Sequence, residues 1–132
     1  MSRLVIGVGF RKEASARSIG EVVTNASAQA AMPGAASLLA VLEDKAAHPG
    51  LRVAADTAHL PIEAVGTHAM RAADAHVATR SAQVKRYRDV GSVCEAAALA
   101  AAGPGARLLV GRIVSADRHA TAAAAFTEDV AS

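Results

Sequence analysis

Apolar runs too short to be helices alternate along this chain with segments of helical length, and that alternation limits the fold more than any motif does. Residues 3–9 are an apolar run closed by glycine, residues 36–42 (ASLLAVL) are a second, and residues 62–65 a third. Each reads as a strand. Between the first two, residues 15–31 read as a helix, with Ser18 and Glu21 at capping-box spacing and Ser15 as an alternative start. Met32-Pro33-Gly34 stops it. His48-Pro49-Gly50 signals a turn ahead of a short helix over 51–59. The polar stretch 66–90 reads as loop-rich, with a short helix over 67–73 and one edge strand. Residues 92–102 (SVCEAAALAAA) read as a helix apolar nearly all round, which must be buried. The runs 107–114 and 119–126, joined by Ser115-Ala116-Asp117-Arg118, read as an antiparallel hairpin. Strands alternating with helices and then a hairpin predict an α/β layered domain with a mixed sheet, parallel early and antiparallel late. Neither a repeat nor a linker divides it, so residues 1–132 are expected to form one domain.

What fills that core follows from an unusual composition. Alanine occupies 35 of 132 positions, tryptophan is absent, and phenylalanine and tyrosine total three. The interior must be built from Val, Leu, Ile and Ala, and side chains this small let elements approach closely. A formal net charge of +2 is too weak to imply nucleic acid, and so few aromatics leave little to stack bases on. No run of 18 apolar residues predicts a membrane span, and the start MSRLVIG lacks the apolar stretch of a signal peptide, so the expected location is the cytoplasm. Cys94 is the only cysteine. None of His48, His59, His68, His76 and His119 stands at metalloenzyme spacing, so neither a metal site nor a cofactor is expected.

Three features carry chemistry. In LVIGVGFRKEAS, Gly7 and Gly9 precede the basic pair Arg11-Lys12, which suggests a glycine turn holding an anion. A dinucleotide fingerprint would need a third glycine where Lys12 stands, and a phosphate loop would need Gly-Lys-Ser/Thr. The bland alternative is a tight strand-to-helix turn. Lys45 stands just past the second strand, where ligands of open α/β sheets gather. In GSVCEAAAL, Ser92 and Glu95 have capping-box spacing: Glu95 either closes the helix or faces the cleft as a base or as a partner of Lys45. Eleven of fourteen basic residues are arginine, which reads either as the compositional mark of a GC-rich genome, along with the alanine, or as a supply of forked guanidinium groups that suit carboxylates.

VIGVGFRKEAS, LAVLEDK, LPIEAV, TRSAQVKRYRDVGSVCEAAALAAAG and LLVGRIVSADRHATAAAA, in that order, resemble the CobE/CbiG C-terminal-domain family of cobalamin biosynthesis. The chain's length resembles the stand-alone form. The resemblance implies a three-layer α/β/α domain with a mixed sheet. It also implies a corrin or precorrin intermediate as ligand and other cobalamin-pathway enzymes as partners. The chemistry it implies lies around lactone opening at the precorrin-5 stage, or else non-enzymatic carriage of an intermediate in the oxygen-dependent route. Gly7, Gly9, Arg11 and Lys12 match the first block, Lys45 the second, and Ser81, Gly91, Ser92 and Glu95 the later one. Lys45 and Glu95 would be catalytic, as oxyanion holder and base, and the others would bind substrate. Arg80, Arg86 and Arg88 would add further charge-assisted pairs to the carboxylate arms. Many relatives carry a cysteine where this chain has Phe10, so no thiol chemistry is expected there.

Overall fold

Successive residues of a strand face opposite ways, so a continuous apolar run such as Leu4–Val8 needs cover on both sides. The computed structural model, which describes residues 2–30, 36–73, 93–103 and 105–128, provides it. Its strands are β1 (Ser2–Phe10), β2 (Leu38–Leu42), β3 (Ile62–Val65), β4 (Arg107–Val114) and β5 (Ala120–Glu128). Its helices are α1 (Ala16–Ala30), α2 (Pro49–Ala58), α3 (Thr67–Ala73) and α4 (Val93–Ala102), with a 3₁₀ turn at Glu43–Lys45. They form a five-stranded sheet in the order β3-β2-β1-β5-β4. β1 pairs in parallel with β2, and β2 with β3. β5 runs antiparallel to both β1 and β4. The mixed sheet and the terminal hairpin are as anticipated. The edge strand expected within 66–90, together with Ser81, Gly91, Ser92, Arg80, Arg86 and Arg88, lies outside the described residues.

The sheet separates two cores. On one face Leu4, Ile6, Val8 and Phe10 of β1 meet Ile19, Val22 and Val23 of α1 and Leu51 and Ala55 of α2. On the other, Val5, Ala40, Val65 and Ala125 meet Met70 of α3 and Ala96, Ala97 and Leu99 of α4. This is the three-layer arrangement. Alanine makes it compact: Ala122–Ala125 of β5 are all fully buried and leave room on both faces. No helix among the described residues is long and apolar enough to cross a membrane.

The start of α2 differs from expectation. The His48-Pro49-Gly50 stretch is not a turn before the helix but its first turn, with His48 as N-cap and Pro49 at the opening position. Proline suits that position because its missing N–H would have had no helical partner.

Candidate functional site

Because β1, β2 and β3 are parallel, their carboxyl ends share one edge of the sheet, and α1, α2 and α3 each begin there. α4 starts at the same edge: a Cβ built on Gly9 would lie 3.6 Å from the Cβ of Val93. Four helix N-termini therefore converge on this rim, each presenting partial positive charge.

The chain leaves β1 here through the turn that carries Arg11 and Lys12. Its backbone is held at each step. The Arg11 N–H donates to the His119 carbonyl at 2.9 Å, and the Ala14 N–H closes the turn on the Arg11 carbonyl at 3.0 Å. The Lys12 carbonyl lies 2.7 Å from Nε2 of His48. The side chains of Arg11 and Lys12 are exposed. Nearby Glu13 registers the local field. Its carboxyl is held below the usual glutamate range first by its own backbone N–H and then by the charges of His119, Arg11 and Lys12. Lys45 adds a third cation. It is half-buried on the 3₁₀ turn after β2, with Nζ 5.7 Å from the centre of the Phe10 ring. An ammonium over a ring face is held by the ring's quadrupole. Glu43 and Asp44 stand on the same turn as Lys45, so the rim is mixed in sign.

The two glycines do not form a turn. β1 stays paired with β5 through Gly7, Gly9 and on to Phe10, so the turn falls at Arg11 and Lys12 instead. Gly7 lies under α4, where an added Cβ would come 2.0 Å from the Cys94 carbonyl oxygen and 2.6 Å from the Ala98 nitrogen. Its task is to let helix and strand touch. Gly9, half-buried at the rim, has Oγ1 of Thr121 at 2.9 Å from that same position, and that hydroxyl donates to the Gly9 carbonyl.

Lys45 and Glu95 are not brought together. Lys45 sits on the α1/α2 face against Phe10, whereas Glu95 belongs to α4 on the opposite face. Glu95 is fully buried, and its Oε2 accepts the Arg112 N–H at 2.8 Å. That donor is free because β4 bulges. Val110 pairs with Ala124 and Ile113 with Ala122, so Gly111 and Arg112 share one position. Glu95 thus satisfies a backbone group across the sheet.

Residues 4–125 match the family model described as Cobalamin synthesis G C-terminus. The chain belongs to this family. It is also 35% identical over 123 residues to protein CobE of Sinorhizobium sp., which covers 92% of this chain and 79% of that relative. Among solved structures, CobE, a protein from the cobalamin biosynthetic pathway, superposes with a TM-score of 0.81 at 27% identity, covering 96% of this chain and 92% of that one. The cobalamin biosynthesis protein chiG from Agrobacterium tumefaciens gives 0.73 at 37% identity, covering 96% and 99%. This family member is accordingly a cobalamin biosynthesis protein.

Sequence reasoning missed two supports of the rim. One is His48, read as part of a turn. The other is a polar knot beneath the β4–β5 hairpin. Asp117 accepts the hydroxyls of Ser115, at 2.6 Å, and of Ser18, and the His119 N–H at 3.0 Å. Those donors, Ser115 first, then Ser18, then the His119 N–H, hold its carboxyl far below the usual aspartate range. Ser15 caps α1 through the Ser18 N–H at 3.1 Å, and Glu21 accepts the Ala116 N–H at 3.0 Å. The expected Ser18–Glu21 capping box is therefore replaced: both side chains lock α1 to the hairpin. The available signal was Ser18 and Glu21 on one helix face, three residues apart.

Proposed function

We propose that this chain binds a polycarboxylate corrin precursor at the carboxyl-terminal rim of its parallel strands. The observation that carries the reading is the Arg11–Lys12 turn. Its backbone is fixed by hydrogen bonds at Arg11, Lys12 and Ala14, while its two cations stay exposed beside the helix N-termini. A preorganised cationic turn loses little freedom when a carboxylate arm docks. Lys45 supplies a further point charge, and Gly9 keeps the rim open beside Val93. In this reading the protein works in the cytoplasm among the other cobalamin-pathway enzymes.

Absorbance-monitored titration with metal-free corrin intermediates tests it. Saturable binding that weakens about tenfold in Arg11→Ala, the worth of one charge-assisted bond, supports the reading. No spectral change with any intermediate sinks it.

The position of Lys45 at the rim supports a second reading, in which the bound precursor is also deacylated. Lys45 would hold the oxyanion that develops as a lactone opens. Glu95, buried and bonded to the Arg112 N–H, suits the structural role better than that of the base. Product formation in the same titration, lost in Lys45→Ala, would favour the enzyme; binding without product favours the carrier.

A further inference from the structure

We infer that His48 is the positioning residue of this rim: it ties the Arg11–Lys12 turn to the first turn of α2 and so fixes where the two cations stand. Its functional consequence rests on the polyanion reading above; its structural basis does not.

The imidazole works at both nitrogens. Nδ1 accepts the N–H of Gly50 at 3.1 Å and of Leu51 at 3.4 Å, a helix-capping task usually given to Ser, Asp or Asn. Nε2 faces the Lys12 carbonyl at 2.7 Å. Amide N–H groups only donate and a carbonyl only accepts, so the partners assign the tautomer: Nδ1 accepts and Nε2–H donates. The ring edge meets Phe10, with centroids 4.8 Å apart and planes at 63°, and Phe10 in turn seats Lys45. One side chain thereby contacts the turn bearing two cations, the start of α2 and the ring under the third cation. Gly50 closes the joint. A Cβ there would stand 3.1 Å from Cε1 of His48 and 3.2 Å from the Ala14 carbonyl oxygen.

Asparagine would cap α2 equally well, but its side chain ends one bond short of the Nε2 position. Histidine adds reach. The two tasks can therefore be separated. His48→Asn keeps the cap and loses the tie; His48→Gln keeps the reach and loses the cap. The unfolding midpoint, amide hydrogen exchange at Arg11 and Ala14, and affinity for uroporphyrin, an octacarboxylate tetrapyrrole, are measured on the full chain. His48→Asn is expected to unfold near the wild-type midpoint, with faster exchange at both amides and porphyrin affinity about tenfold weaker. His48→Gln is expected to unfold earlier yet keep most of its affinity. Wild-type exchange and affinity in His48→Asn would overturn the inference, as would affinities that simply follow the midpoints. If the wild-type chain ignores uroporphyrin, the polyanion reading fails on that probe, and the exchange comparison alone decides the tie.

Discussion

Glu95 and Asp117 direct their carboxylates at the protein's own backbone and hydroxyls, and this gives each a separate signature. Truncating Glu95 leaves the Arg112 N–H without its acceptor inside the bulge and opens space under α4. Glu95→Ala should cost about 2–4 kcal/mol in equilibrium denaturation, and Glu95→Gln, which retains an amide oxygen, clearly less. For Asp117 the sign follows from its donors. Its folded-state pKa is depressed, so its contribution is present above the ordinary aspartate range and is lost as pH falls below about 4. The unfolding midpoint of the wild type should drop on acidification through that window, and Asp117→Asn, already less stable at neutral pH, should drop less. Neither role could be read from spacing. Ser92 lies outside the described residues, so its capping box with Glu95 stays an expectation; the Arg112 N–H that Glu95 accepts lies 17 residues further on, in a bulge that LLVGRIV does not announce. The Ser18–Asp117 bond spans 99 residues.

Among the described elements, α4 and β1 approach closely at Gly7, where an added Cβ would meet α4 backbone atoms. The apolar circumference of residues 92–102 told correctly that this helix is buried, because a helix without a polar face has no side to give to water. It could not tell that Gly7 is the floor on which α4 rests. A glycine in an apolar run means either a turn or a close approach, since both need the missing Cβ, and only the pairing of β1 with β5 beyond Gly9 separates them. Gly7→Ala should therefore destabilise by about 3 kcal/mol or more, read as a shift in denaturation midpoint. Gly20 of α1 is the control: an added Cβ meets nothing within 4 Å, so Gly20→Ala should stabilise by about 0.5–1 kcal/mol. The start of α2 is ambiguous in the sequence for a related reason: His-Pro-Gly suits a turn, but proline and a capping acceptor also suit a helix start.

At the level of the whole molecule, the alternation of short and long segments was enough for an α/β fold with a mixed sheet, because length and flanking turn residues separate strand from helix where continuous apolar runs show no period. Strand order was not legible, since nothing local says that β1 lies between β2 and β5. The family was legible from blocks spread over residues 4–125 in a fixed order. Once the order is known, the rim follows: three parallel carboxyl ends bring Arg11, Lys12 and Lys45 to one edge, while Arg3, Ser37 and Ala106 stand at the other. The polarity of the sheet is thus the central claim, and amide chemical-shift mapping with a metal-free corrin polycarboxylate tests it most directly. Shifts concentrated at Arg11–Ala14, Lys45 and Val93 are the predicted result. Shifts concentrated at Arg3, Ser37 and Ala106, at the opposite edge, would contradict it.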